Sequence, residues 1–221
     1  MKLILDQTDV RYERKMLLIR TSLEEVLQRI HLHPAFFREV YPGRTIQNLY
    51  LDSPNLDAWR THLDGSVTRS KFRIRWYGTH AIGQSPLILE HKSKSGLVGR
   101  KEKIALGSIG HELIREDGKH IHHAMIPSPM QERIRGMNPS LYNRYKRRYF
   151  LSLDRRLRLT VDEQIRFGRP DLSFLSELPN HIVIEYKYLP IDEQHAQTSF
   201  QEFPWRINKF SKYISGMNLL Y

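Results

Sequence analysis

The chain has 221 residues, of which 35 are Lys or Arg and 24 are Asp or Glu, so its formal net charge is +11. It contains no cysteine, which excludes disulfides, thiolate zinc sites and a cysteine nucleophile. A chain this basic is expected to bind a polyanion: nucleic acid, an anionic membrane surface or a phosphate-rich small molecule.

The sequence predicts one undivided domain. It has no low-complexity linker, no Pro/Gly/Ser-rich run and no internal repeat, so we expect a single domain over residues 1–221. No segment approaches the roughly 18 apolar residues that a membrane-spanning helix needs. Residues 1–10 have no apolar run of the signal-peptide type, and we therefore expect a cytoplasmic protein.

The first predicted elements are a strand and a helix. On a strand over residues 11–19, Arg11, Glu13 and Lys15 share a face of mixed charge. Residues 21–31 predict a helix, because Ser22 and Glu25 form a capping box before apolar residues at helical spacing. The stripe that this helix would bury consists of Leu23, Val26, Leu27 and Ile30.

A second strand and helix follow. Residues 45–51 predict a strand, and Ser53 predicts a helix N-cap with Pro54 at the first helical position. Gly65 would end that helix. Its apolar face would consist of Leu56, Trp59 and Leu63.

Residues 69–77 alternate strictly between cationic and apolar side chains. Strand side chains alternate between faces, so this segment predicts a strand with one cationic and one apolar face. The cationic face holds Arg69, Lys71, Arg73 and Arg75, and the apolar face holds Phe72, Ile74 and Trp76. Such a face either lies in solvent or is compensated by a bound polyanion.

The next segments continue the alternation less cleanly. Over residues 87–94, Glu90, Lys92 and Lys94 share a face, and His91 falls on the apolar side, which favours a core histidine over a metal ligand. After a turn, Arg100 and Glu102 share one face, and Lys101 and Lys103 share the other. Residues 108–139 predict a helix near residues 109–115 and a polar loop with His120, His122 and His123, which lack the partners of a metal site.

Three further segments complete the chain. Residues 142–153 predict a strand on which Arg147 opposes Arg144, Lys146 and Arg148, and a hairpin turn at residues 154–155 leads into the alternating residues 156–162. Glu185 lies in an apolar strand, so its carboxylate needs a cation or a metal to offset desolvation. Residues 205–215 predict a helix that Gly216 would end.

A charged face recurs on six predicted strands, which is hard to explain as six outer surfaces. If the sheet closes, these faces converge inside a barrel, because interior and exterior residues alternate along every barrel strand. An interior rich in Arg and Lys with a few Glu suits a chain of phosphates with a divalent cation between phosphate oxygens and carboxylates.

At these residues the sequence resembles the VTC domain, the catalytic domain of the vacuolar transporter chaperone complex and its stand-alone prokaryotic relatives. This family belongs to the CYTH-like triphosphate tunnel metalloenzymes. The resemblance rests on the order of several motifs from Arg11 to Tyr213. They are RYERK at 11–15, YLDSP at 50–54, KFRIRWYG at 71–78, EHKSK at 90–94, RKE at 100–102 and FSKY at 210–213.

The resemblance implies an α+β fold, an antiparallel eight-stranded β-barrel with helices packed outside. It also implies a phosphate-binding set and a metal-binding set for Mn²⁺ or Mg²⁺. The phosphate-binding residues would be Lys15, Arg73, Arg75, Lys92, Arg100 or Lys101, Arg148 or its neighbour Arg147, Arg158 and Lys212. Glu185 would hold the metal, with Glu13 and Glu90 nearby. The wider group opens with Glu-x-Glu-x-Lys, whereas Arg11 replaces the first glutamate here, which favours the VTC branch over a plain hydrolase.

The function that the resemblance implies is a polyphosphate polymerase, with ATP as donor and polyphosphate or pyrophosphate as its other ligands. A tripolyphosphate or nucleoside triphosphate hydrolase in the same tunnel and a non-catalytic polyphosphate- or RNA-binding module are the alternatives. No Gly-x-x-x-x-Gly-Lys-Ser/Thr loop is present, which excludes a P-loop kinase. Specific recognition of nucleic acid is not expected, a membrane partner would be a separate polypeptide, and the oligomeric state stays open.

Overall fold

The computed structural model describes residues 11–79, 85–95, 98–107, 126–171, 174–178 and 180–221. The predicted helix near residues 109–115 and the cluster of His120, His122 and His123 lie outside these residues. The strands are β1 (Tyr12–Ile19), β2 (Arg38–Asp52), β3 (Thr68–Tyr77), β4 (Leu87–Ser95), β5 (Val98–Gly107), β6 (Asn138–Leu151), β7 (Arg158–Gly168), β8 (Phe174–Glu177) and β9 (His181–Tyr188).

All strand pairings are antiparallel, and eight strands form one continuous path. The order is β1-β9-β7-β6-β2-β3-β4-β5, and β8 pairs with β7 beside this path. The predicted α+β class with an eight-strand antiparallel sheet is confirmed. Within the described residues no backbone ladder joins β1 to β5, so hydrogen bonds do not close the sheet.

The α-helices are α1 (Leu23–His31), α2 (Asp57–Leu63), α3 (Ser128–Gln131), α4 (Glu193–Gln201) and α5 (Lys212–Leu220). The N-cap predicted for α1 is confirmed: the Ser22 side chain accepts a hydrogen bond from the Glu25 amide at 3.1 Å. Val26 and Ile30 on α1 are buried against the outer face of β1, β7 and β9, where α4 also packs. This packing confirms the outside position predicted for the helices in the case of α1 and α4.

The start predicted for α2 was wrong. The helix begins at Asp57, because Leu56 has a left-handed backbone conformation with φ of 56° and cannot continue a helix from Pro54. The free amides of the first turn are bound by Asp52, which accepts from Ala58 at 2.9 Å and from Trp59 at 3.2 Å. The predicted stop is confirmed, since the chain turns out of the helix just before Gly65, whose φ is +70°.

The boundaries predicted for the last helix were also wrong. The helix α5 begins at Lys212 with Ser211 as its N-cap, and Gly216 lies inside it. A Cβ atom at Gly216 would lie 2.5 Å from Phe167 Cδ1 and 2.6 Å from Leu141 Cδ2. The glycine therefore permits close packing of α5 on β6 and β7. The helix lies on the face of the sheet that also carries Arg147, opposite to the face covered by α1 and α4.

Gly216→Ala is expected to lower the free energy of unfolding by about 1–3 kcal/mol, the usual cost of overpacking. The added methyl group would have to displace Phe167 or Leu141, both fully buried. Chemical denaturation measures the change. Leu219→Ala, at a half-exposed position of the same helix, is the control and should change stability by no more than about 0.5 kcal/mol. Equal stability of the two variants would contradict this packing.

Candidate active site

The sheet curls until its two ends face each other. Glu13 lies on β1 and Lys92 on β4, and these strands are far apart along the path, yet the two side chains are 3.6 Å apart. The strand register places Arg73, Arg75 and Glu90 on the face that lines the enclosed space. We call this face the inner face and the enclosed space the tunnel.

Glu90 is the centre of a first ionic cluster in the tunnel. It accepts a hydrogen bond from Arg73 Nε at 2.6 Å, and it forms ion pairs with Lys101 at 2.7 Å and Arg75 at 3.5 Å. Burial acts to raise the pKa of Glu90, but the surrounding positive charges outweigh it and hold the pKa far below its usual range. The carboxylate is therefore ionised and orients both guanidinium groups.

A polar network fixes the two arginines further. Arg75 donates to Asn48 Oδ1 at 2.9 Å and to the Tyr145 hydroxyl at 3.3 Å. Arg73 donates to the Tyr50 hydroxyl at 3.4 Å. Guanidinium groups held in this way are pre-organised to bind phosphate oxygens, because each retains a planar fork of donors.

A second cluster surrounds two buried carboxylates. Arg147 donates to both oxygens of Asp162, at 2.5 and 2.6 Å, and to Glu185 at 3.2 Å. Lys212, at the start of α5, pairs with Asp162 and lies 3.9 Å from Glu185. Burial opposes ionisation, yet Arg147 and the nearby lysines hold the pKa of both carboxyl groups below the usual range.

Two lysines join Glu13 to this second cluster. Lys15 lies 3.0 Å from Glu13 and 3.5 Å from Glu185, and Lys187 lies 3.2 Å from Glu185 and 3.9 Å from Glu13. Burial and the neighbouring Glu185 act to raise the pKa of Glu13, but the lysines lower it to about 2. The two glutamates are thus both anionic and share the same cationic partners.

Cations outnumber carboxylates on the inner face, and Lys71 shows the imbalance most clearly. Its ammonium donates to Ser211 Oγ at 3.1 Å and lies 5.1 Å from the centre of the Tyr213 ring. Among the described residues no carboxylate lies within ion-pair distance of it. Desolvation and, to a smaller extent, positive neighbours together lower the pKa of Lys71 to about 7. These neighbours are Lys15, Lys92, Arg69 and Arg73.

The profile of the VTC domain matches residues 10–221, almost the whole chain. The chain belongs to the VTC domain family. Together with the tunnel fold, this membership indicates a polyphosphate-related enzyme that binds triphosphates, of phosphoryl-transfer or triphosphatase type, and it implies a divalent cation. No curated protein matches this VTC domain significantly.

Solved structures share the fold of this VTC domain at low sequence identity. An adenylyl cyclase-like protein from Hippeastrum with a dominant triphosphatase activity is 17% identical, with a TM-score of 0.56 and coverage of 94% of this chain and 95% of that one. An adenylate cyclase-like protein from Vibrio parahaemolyticus is 12% identical, with a TM-score of 0.53 and coverage of 95% and 99%. These likenesses support the triphosphate tunnel fold. In the described part of the VTC domain, no helix is long and apolar enough to cross a membrane.

The structure brings most of the predicted site residues of the VTC domain together. The residues that meet in the tunnel are Lys15, Arg73, Arg75, Lys92, Lys101, Lys212, Glu13, Glu90 and Glu185. Their roles stay a prediction. The position of the strand residues on one face follows from strand alternation, and Lys212 reaches the tunnel from the start of α5. Arg158 is the register partner of Lys187, so it lies on the inner face, where it is exposed at the start of β7.

Two predicted phosphate ligands lie elsewhere. Arg100 pairs in register with Ser93 on the outer face, so Lys101 is the member of that pair in the tunnel. Arg148 also lies on the outer face, 3.5 Å from Glu163 and 3.8 Å from Glu39, and its neighbour Arg147 lies inside.

Sequence reasoning did not select Asp162, Lys71, Tyr145 or Lys187. The alternation of residues 156–162 placed Asp162 on a polar strand face, and this was the feature of the sequence that could have marked it as a site residue. Its contact with Arg147 required the pairing of β6 with β7.

Glu13 and Glu185 could hold a divalent metal whose remaining ligands are substrate phosphates and water. In the part of the chain that the structure describes, no group of three or more acidic or histidine side chains forms a complete metal site. Glu13 and Glu185 are a pair of neighbouring carboxylates, and Mg²⁺ is commonly held by one or two carboxylates plus substrate phosphates and water. Glu90, the third predicted metal ligand, is enclosed by Arg73, Arg75 and Lys101.

The affinity of the VTC domain for tripolyphosphate is expected to fall as the pH rises above about 7. Lys71 attracts phosphate when protonated, so this contribution is complete below its pKa and is lost above it. A bound phosphate would raise that pKa, so binding at about pH 8 should take up protons. Calorimetry in buffers of different protonation enthalpy measures the uptake. Lys71→Met should reduce it, and Lys146→Met on the outer face should not; equal uptake in both would contradict this role.

Proposed function

We propose that this VTC domain is a polyphosphate polymerase that transfers the terminal phosphoryl group of ATP to the end of a phosphate chain. The proposal rests chiefly on one observation, the pair of Arg73 and Arg75 held by Glu90, Asn48 and the Tyr50 and Tyr145 hydroxyls inside a cation-rich tunnel. Such an interior stabilises a chain of phosphates along its length.

The chemistry needs positioning and neutralisation of charge more than a protein nucleophile. A terminal oxygen of the phosphate chain attacks the γ-phosphorus of ATP, and the bond from that phosphorus to the β–γ bridging oxygen breaks. The chain gains one phosphate, and the electron pair leaves with ADP. Arg73 and Arg75 would bind the oxygens of the transferred group, and Lys15, Lys92 and Lys101 would neutralise the adjacent phosphates.

Arg147 and Lys212 would act through the carboxylates that they orient. Both contact Asp162 and Glu185, so they fix the position of Glu185 beside Glu13. Glu185 and Glu13 would hold Mn²⁺ or Mg²⁺, which when bound supplies neutralisation of phosphate oxygens.

A triphosphatase is the second candidate, and it would use the same residues with water as the acceptor. The dominant triphosphatase activity of the Hippeastrum protein, whose fold is similar, favours it. Against it stands Arg11, which occupies the position of the first glutamate in the opening motif of the hydrolytic relatives.

Simultaneous measurement of ADP and orthophosphate tests the choice of acceptor. With ATP, manganese or magnesium and a short polyphosphate primer, a polymerase should release ADP while orthophosphate stays near the level of a chelator control. Equal amounts of ADP and orthophosphate would instead establish the triphosphatase. A cytoplasmic location and a separate membrane partner remain predictions.

A further inference from the structure

The two ends of the inner face differ in chemistry. Strand β3 runs along the tunnel from Arg69 to Tyr77. Near its first end Arg69 contacts His62 at 3.4 Å, and Lys71 follows two residues later, so this end is cationic. At its other end, Tyr77 and Tyr145 are both register partners of Ile46, and Tyr149 follows on the same face of β6. The second end is therefore rich in tyrosine.

Tyr41 and Tyr149 form an aromatic pair at this end. They are register partners on β2 and β6, and their rings are 6.0 Å apart at an angle of 89°. Tyr41 is 56% exposed, so one face of this pair is open to solvent. Register places Arg44 beside Arg147, which binds Asp162 inside the tunnel, so Arg44 and the tyrosine pair lie on the inner face.

Arg44 adds a planar cation to the tyrosine pair. Its guanidinium carbon lies 5.6 Å from the centre of the Tyr41 ring. Bases stack on both aromatic rings and arginine planes, and this stacking tolerates different bases because every base has a π-face. The three side chains together offer a stacking surface next to the phosphate-binding part of the tunnel.

A buried hydroxyl beside this surface has no partner. Thr160 pairs in register with Tyr149 on one side and with Glu185 on the other, so it belongs to the inner face. The side chain is 9% exposed, and its hydroxyl makes no hydrogen bond. A buried polar group without a partner is unfavourable, and a hydrogen bond to a ligand hydroxyl or phosphate oxygen would offset that cost.

We propose that Tyr41, Arg44 and Tyr149 bind the nucleoside of the donor triphosphate, with Thr160 available to a ribose hydroxyl. The inference rests on the proposed function only in taking a nucleoside triphosphate as donor. The base lies at the tyrosine end, the triphosphate extends inward past Arg147, and the phosphate chain lies toward Arg69. Since stacking does not read base edges, ATP and GTP should bind with similar affinity.

The test compares one ligand that carries a nucleoside with one that does not. The β,γ-imido analogue of ATP and tripolyphosphate are titrated calorimetrically with magnesium present. Tyr41→Ala should weaken the ATP analogue by roughly 5- to 150-fold, the range of base–aromatic stacking, and leave tripolyphosphate within about twofold. Tyr41→Trp should retain the affinity for the analogue, because tryptophan also stacks.

Tyr221→Ala is the matched control. Tyr221 is 70% exposed and contacts Trp59 away from the tyrosine pair, so its loss should change neither affinity. Equal weakening of both ligands by Tyr41→Ala, or an unchanged affinity for the ATP analogue, would overturn the inference. Tyr149→Leu provides a second variant, which should also weaken binding of the ATP analogue while leaving the affinity for tripolyphosphate unchanged.

This result is independent of the reaction that follows. If the protein only hydrolyses ATP, the polymerase is excluded, but a selective loss of nucleotide affinity in Tyr41→Ala still supports the nucleoside site. If the protein elongates polyphosphate and Tyr41→Ala leaves the ratio of the two affinities unchanged, the nucleoside site alone is excluded. Failure of the unmodified protein to bind the ATP analogue would overturn both.

Discussion

Arg75→Ala is expected to reduce turnover by at least about 100-fold while the protein remains folded. Arg75 is buried and contributes donors where negative charge is concentrated, and removal of one such donor commonly reduces turnover by about 10²- to 10³-fold. Glu90 keeps Arg73 and Lys101 as partners, so its charge stays compensated in the variant. Arg73→Ala should have an effect of the same order.

The control for both variants is Arg14→Ala. Arg14 also lies on a strand, but its ion pair with Glu193 at 3.3 Å is on the outer surface, where such pairs contribute about 0–1 kcal/mol. Initial rates of ADP formation and circular dichroism of all three variants separate lost chemistry from lost structure. Turnover within about threefold of the unmodified protein in both Arg73→Ala and Arg75→Ala would contradict the tunnel as the active site.

Arg147→Met is expected to lower the free energy of unfolding by about 3–5 kcal/mol, the range seen when one partner of a buried ion pair is removed. Asp162 is fully buried and accepts two hydrogen bonds from Arg147. In the variant, Lys212 is the remaining ion-pair partner of Asp162 among the described residues. Glu185 still has Lys15 and Lys187 as partners. Equilibrium denaturation in urea measures the loss.

Arg148→Met is the matched control, because it removes the same group from the adjacent residue. Arg148 lies near Glu39 and the buried Glu163 on the outer face, but its Nε makes no hydrogen bond, and we expect a smaller loss than in Arg147→Met. Asp162→Asn introduced together with Arg147→Met should restore part of the stability, since the uncompensated charge is then absent. Equal losses in Arg147→Met and Arg148→Met would show that the buried cluster does not stabilise the fold.

The inner face was predictable where strands alternate without irregularity. On β3 and β4 each side chain faces opposite to its neighbours, so the positions of Arg73, Arg75, Glu90 and Lys92 follow from the sequence alone. The choice between Arg147 and Arg148 was open because β6 carries cations on both faces, so alternation alone does not say which face lines the tunnel. Contacts across the tunnel, such as Glu13 with Lys92, depend on how the sheet curls.

The helix boundaries show a different limit. The capping box of α1 is local, so Ser22 and Glu25 sufficed to place it. Gly216 is a common type of stop signal, but here it permits close packing on Leu141 and Phe167. Only tertiary structure distinguishes these two uses of a glycine, and local pattern therefore misplaced α5.

The most direct test of the polymerase is a gel stained for polyphosphate. Purified protein is incubated with ATP and manganese, with parallel samples that contain a chelator or the Arg75→Ala variant. The account predicts a ladder of chains that requires the metal and disappears in the variant. Free phosphate without a ladder would contradict the polymerase while retaining the tunnel as a triphosphatase site, and a ladder that persists in Arg75→Ala would contradict the tunnel itself.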